Sequence, residues 1–176
     1  MRYVVLSFVV SLLCACSNDI EDVRRQANDK EMPVSSTKNI IMLYSDSARL
    51  RSKVRAPLRE TYMGENERVE FPKGIRIDFF EGNGRPNGSL SADYALSNPR
   101  TETMTARHNV VLSNGEGKTL TTEELIWEQK SGRIHSNKFS TIKSREEIIY
   151  GDGFEANQDF SEYRIVKVKG IVTLKE

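Results

Sequence analysis

Reactive side chains are scarce in this chain. Of 176 residues, two are cysteine and two are histidine. Cys14 and Cys16 both lie near the N-terminus, so the body of the protein has no disulfide framework and no thiolate for a metal. His108 and His135 are isolated; His108 shares the strand parity of Val110 and is expected to be packed or hydrogen-bonded rather than a ligand. No G-x-S-x-G nucleophile elbow occurs, and Gly82-Asn83-Gly84 lacks the strand-to-helix setting of a phosphate loop. Glu123-Glu124 and Glu146-Glu147 are adjacent pairs, and neighbours on a strand point to opposite faces, so neither pair converges on a substrate. These absences argue against an enzyme, and no cofactor and no metal is expected.

An excess of one charge is missing too. With 26 basic and 25 acidic residues the net charge is +1, which gives no field to gather nucleic acid. The one long apolar run, residues 3–13, falls short of the ~20 residues that span a bilayer. It follows Arg2 and leads into Leu13-Cys14-Ala15-Cys16, which resembles a lipoprotein signal, where a small residue precedes the cysteine that is acylated. Cys16, after Ala15, is the expected lipid anchor; Cys14 follows bulky Leu13. The alternative is an ordinary secretory peptide with a chance cysteine. Residues 1–15 are then the signal, 16–38 an acylated cysteine with a polar, flexible linker, and 39–176 one domain held together by its core alone.

What fills that domain is strand after strand. Ala48, Leu50, Val54 and Ala56 alternate with Arg49, Arg51, Lys53 and Arg55, and Ile75, Ile77 and Phe79 with Arg76 and Asp78. A period of two means half-buried strands. Leu90, Ala92, Tyr94 and Leu96 are expected to face one way, as are Met104, Ala106, Val110 and Leu112 in the next strand. Gly- and Asn-rich turns such as Ser113-Asn114-Gly115 separate them. At Glu123-Glu124 the parity slips between Leu120/Thr122 and Leu125/Trp127, which predicts a β-bulge. The strands also repeat about every thirty residues: Leu90-Ser91-Ala92-Asp93 recurs as Leu120-Thr121-Thr122-Glu123, Met104 as Ile134 and Leu112 as Ile142. A third, weaker copy begins at Tyr150-Gly151-Asp152-Gly153-Phe154. One hairpin unit is thus stacked in series, each copy burying its apolar face on the next.

Ala92-Asp93-Tyr94-Ala95, Ala106-Arg107-His108-Asn109-Val110-Val111-Leu112, residues 117–127, Pro72-Lys73-Gly74-Ile75 and Gly151-Asp152-Gly153-Phe154-Glu155-Ala156 with Tyr163-Arg164-Ile165 together resemble the LptC family. The resemblance implies an all-β fold, a twisted, open β-jelly roll of short antiparallel strands. It implies a periplasmic component of lipopolysaccharide export, passing lipid from the inner-membrane ABC transporter to a periplasmic bridge. The N-terminal edge would pair with the transporter subunits and the C-terminal edge with the LptA-like bridge. Many members carry a transmembrane helix where this chain has Cys16. The family's task favours the inner membrane for the anchor, whereas Asp19, Glu21 and Asp22 after the cysteine leave the outer membrane as the alternative.

Such a job needs a dry lane and open edges. Leu90, Ala92, Tyr94, Met104, Val110, Leu112, Leu120, Trp127, Ile134, Phe139, Ile142 and Phe154 are the inward candidates for a lipid groove. An apolar alternating face is also how any sandwich core reads. Arg49, Arg51, Lys53 and Arg55 are candidates for phosphate contacts, or else the solvated side of a strand. The expected edges are the strand near residues 48–56 and that near 166–174, where Lys167, Lys169 and Lys175 either dock a partner or block aggregation. The rival function is an outer-membrane or surface lipoprotein binding glycans or partner proteins. Glycan binders display exposed aromatic platforms, and the one tryptophan, Trp127, falls on a face the repeat predicts to be buried.

Overall fold

The computed structural model describes residues 32–174. The expected signal and the Cys16 anchor lie outside them. Eleven antiparallel strands follow one another: β1 (Ser35–Asp46), β2 (Arg49–Tyr62), β3 (Arg68–Phe71), β4 (Ile75–Phe80), β5 (Pro86–Ala92), β6 (Tyr94–Asn98), β7 (Thr103–Asn114), β8 (Thr119–Glu128), β9 (Arg133–Lys143), β10 (Glu147–Asn157) and β11 (Tyr163–Thr173). The first strand begins inside the segment read as linker, ahead of residue 39. No helix occurs among the described residues.

The long strands serve two halves of the sheet. β2 pairs β4 through residues 52–55 and β3 through residues 60–62. β7 pairs β5 through residues 111–114 and β6 through residues 103–107. Because β3 also pairs β6 and β4 pairs β5, these six strands close a ring. The sheet folds over, and side chains of both halves form one core that includes Val54, Ile77, Leu112 and Leu120 from one half and Phe71, Ala106, Leu125 and Phe154 from the other. This is the jelly roll expected, open at β1, which pairs only β2, and at β11, which pairs only β10.

A line of bends makes the fold-over possible. Asn39, His108 and Asn109 adopt left-handed backbone (φ 52, 62 and 51), as does Gly153 (φ 78). The pairing of β7 with β8 slips between Arg107 and Val110, and that of β8 with β9 between Thr122 and Ile126. The second slip is the bulge predicted at Glu123-Glu124. Neighbouring bends touch: Asn39, Pro57, Gly74 and Asp93 line one cleft, and the Asp93 N–H donates to the His108 carbonyl (3.0 Å). Asp93, Glu123 and Gly153 occupy the same place in successive copies of the repeat, about thirty residues apart. The repeat therefore encodes the bend as well as the strands.

Candidate functional site

Residues directly opposite one another in an antiparallel ladder share a face. Following the register from β1 gives Met42 beside Val54, then Ile77, Leu90, Leu112, Leu120, Ile142, Ile149 and Ile171. An unbroken apolar rung thus crosses one half of the sheet from open edge to open edge, with its middle members buried. The repeat placed Leu90 with Leu120 and Leu112 with Ile142, and all four stand on this rung. In the other half the inner rung runs from Phe71 through Ala95 and Ala106 to Leu125.

Most groove candidates lie where the sequence put them. Leu90, Ala92, Val110, Leu112, Leu120, Ile134, Ile142 and Phe154 are buried, and Met104 and Trp127 are partly buried against the same core. Two are not inside. Tyr94 follows the bend at Asp93, which reverses the parity, so Ala95 turns inward while Tyr94 turns out beside Arg107 on β7. Burial under its neighbours, then the charge of Glu70, raises the Tyr94 pKa. Phe139 is 50% exposed, because Ile134, Ser136, Ser140 and Ile142 hold the inward parity of β9 and Phe139 has the other. Its ring lies 6.1 Å from that of Tyr150 on the outer face. His108 likewise points out, 67% exposed and 3.9 Å from Glu123, since left-handed backbone at His108 and Asn109 swings it off the inner face.

Three buried hydroxyls were not anticipated. Thr122 Oγ1 lies 3.2 Å from Ser136 Oγ and donates to the Phe139 carbonyl (3.0 Å), and Ser140 Oγ donates to Thr122 (3.2 Å). Each is satisfied, as most buried polar groups are. The signal available in the sequence was inward parity for Thr122 and Ser140, which composition alone masks.

An aromatic side chain from a loop joins the core. Phe160, in the β10–β11 connection, is 1% exposed and packs against Phe154 (5.7 Å, edge-on) and Tyr163 (5.3 Å). Beside it, the Ser161 hydroxyl and N–H donate to the Asp159 carboxylate (2.7 and 3.0 Å) and hold its pKa below the usual carboxylate range. A carboxyl whose folded pKa is depressed contributes stability above its unfolded value, about 3.9, and that contribution fades as pH falls through the lower folded value. Wild type is therefore expected to melt above Asp159→Asn at pH 6, with the gap narrowing towards pH 2.5. An identical gap at both pH values would sink this account of the loop.

The edges are apolar on both faces. Ile41 and Leu43 on β1 are each 63% exposed, and Val166, Val168, Ile171 and Val172 on β11 are about half exposed. The N-terminal edge is β1, which covers β2, so the edge expected near residues 48–56 is instead an interior strand. Lys169 on β11 pairs Asp152 (2.8 Å) and reaches over the Phe139 ring. The basic stripe is on the outer face of β2: Arg51 pairs Asp46 (3.3 Å), and Arg55 shares Asp78 with Arg76. Arg49 and Lys53 have no carboxylate partner among the described residues.

Residues 4–172 match the model of a protein family described as lipopolysaccharide-assembly, LptC-related. No curated protein matches the chain.

Proposed function

The chain belongs to the LptC family and takes part in lipopolysaccharide transport, and from that premise we propose that its inner face is the lane for the acyl chains. The observation that carries this is the apolar rung from Met42 to Ile171, open at both ends. A fourteen-carbon chain in water costs about 11 kcal/mol at ~0.8 kcal/mol per methylene, so several chains cannot cross an aqueous gap unassisted. A bridge offsets that cost only if its lane joins those of its neighbours. β1 would pair with the inner-membrane transporter and β11 with the LptA-like bridge by adding strands to the sheet, extending the rung into each partner. Long, apolar, uncovered edges are what ordinary proteins avoid. Cys16 would tether the domain to the inner membrane, and Arg49 and Lys53 face outward where lipid or membrane phosphates would meet them. Nothing in this job calls for bond chemistry.

The experiment is in-cell photo-crosslinking with a photoreactive residue at Leu112, buried on the rung, and at Val111, on the outer face. A lipopolysaccharide adduct is expected at 112 and not at 111. No adduct at 112, 120 or 142 in well-expressed protein would mean a closed core. The outward Phe139–Tyr150 pair, the sort of surface a glycan binder uses, would then become the place to look.

A further inference from the structure

Among the described residues, two buried polar atoms on the inner face lack a partner. Trp127 Nε1 and Thr61 Oγ1 are shut off from solvent and meet no hydrogen-bonding group among the described residues. They belong to one rung: Thr61 stands beside Val69, Val69 beside Ser97, Ser97 beside Met104, Met104 beside Trp127, and Trp127 beside Ile134. Directly opposed residues share a face, so both orphaned atoms belong to the interior side. The rung lies where β2, β6 and β8 end and β7 and β9 begin, so it is the lip of this half of the sheet. The rung behind it, with Ala95, Ala106 and Leu125, is fully buried, whereas Met104 and Trp127 are only partly so.

A buried donor without an acceptor is a cost that folded proteins rarely carry. Indole N–H can only donate, while a threonine hydroxyl donates and accepts. The methylenes of an acyl chain bring no acceptor, but the carbon at the head of the chain bears a carbonyl oxygen. A chain drawn into the interior leaves that head at the lip. Met104, next to Trp127, is unbranched and adaptable enough to move aside. We propose that this rung reads the acyl carbonyl: Trp127 Nε1–H donates to the ester or amide carbonyl oxygen of bound lipid, and the Thr61 hydroxyl partners a second polar group on it. The inference rests on the acyl-lane reading above. It adds that the lane distinguishes acyl lipid from plain hydrocarbon.

Trp127 is the only tryptophan, so a ¹⁵N-labelled protein gives a single indole N–H resonance. The test uses the full-length chain with Cys16→Ser, which carries no acyl group of its own, in an alkyl maltoside that has no carbonyl. It is titrated with an ester-linked lysophospholipid and with its ether analogue of equal chain length. Both are expected to shift the methyl resonances of Leu112 and Leu120, and only the ester to move the indole proton downfield. Trp127→Phe should weaken the ester lipid roughly two- to tenfold and leave the ether lipid unchanged. Equal indole shifts from both lipids, or none while the lane methyls respond, would overturn the proposal. If neither lipid moves the methyls, the acyl-lane reading itself falls. Lipopolysaccharide binding weakened by Trp127→Phe would make it the source of the carbonyl; weakening confined to the lysophospholipid would assign the site to phospholipid.

Discussion

Gly151→Val is expected to pull β11 off the sheet and to cost about 3 kcal/mol or more. Gly151 sits on the inner side of β10, opposite Ser140 on β9 and Val168 on β11. A Cβ there would stand 2.0 Å from the Lys167 carbonyl oxygen and 2.7 Å from Ile165 Cγ2. The first obstacle is backbone, so no rotamer relieves it, and the β10–β11 register already slips between Tyr150 and Gly151. Even alanine meets the same atoms. Gly84→Ala is the useful contrast: its φ of +82 strains an alanine, but nothing lies within 4 Å, so the cost should stay near 1 kcal/mol. Urea unfolding of the three variants checks the order, and limited proteolysis should release a fragment starting near β11 from Gly151→Val alone. Stability of Gly151→Ala within ~0.5 kcal/mol of wild type would show that β10 and β11 separate more easily than their packing suggests. Under the proposed function the same variant loses the strand that docks the bridge, so export should fail even where the protein accumulates.

Much of this was legible beforehand because repetition constrains strands twice. Leu90, Leu112, Leu120 and Ile142 were matched by sequence alone and stand on one rung, and the parity slip at Glu123-Glu124 was visible as a change of alternation. What escaped were positions where the backbone bends without a glycine. Asp93 breaks β5 from β6 and reverses Tyr94 and Leu96; His108 and Asn109 turn left-handed and expel the histidine. Polar residues tolerate that backbone, but they occur everywhere on strands, so nothing marks these as bends. Phe139 differs for another reason: it is as apolar as a core residue, but its parity, opposite to that of Ile134 and Ile142, puts it on the outer face. β1 was missed as the edge because Ile40, Ile41, Met42 and Leu43 do not alternate. A strand with both faces apolar has no period of two, and that is the composition an edge awaiting a partner would carry.

Phe160→Ala is expected to cost about 3–5 kcal/mol, a large share of the 5–15 kcal/mol that holds a typical domain together. The side chain is buried between Phe154 and Tyr163, and the Asn114 side-chain amide donates to its carbonyl (3.3 Å), tying the β10–β11 loop to the end of β7. Its backbone is left-handed (φ 57), a conformation that costs a bulky residue about 1–2 kcal/mol. The loop keeps that strain because burying the ring yields more than the backbone loses. This fixes the order of a small series. Phe160→Gly removes the ring and the strain together, so it should be no less stable than Phe160→Ala, the reverse of their usual ranking within strands. Phe160→Leu should fall between wild type and alanine. Thermal and urea unfolding measure all three, and glycine well below alanine would mean the strain is not what the ring opposes. Lipid gives the second readout. If the interior is the acyl lane, the space left by the ring can take a chain, so an acyl lipid should restore more stability to Phe160→Ala than it adds to wild type. Equal stabilisation of both proteins would place Phe160 beside the lane, as a clasp for the loop alone.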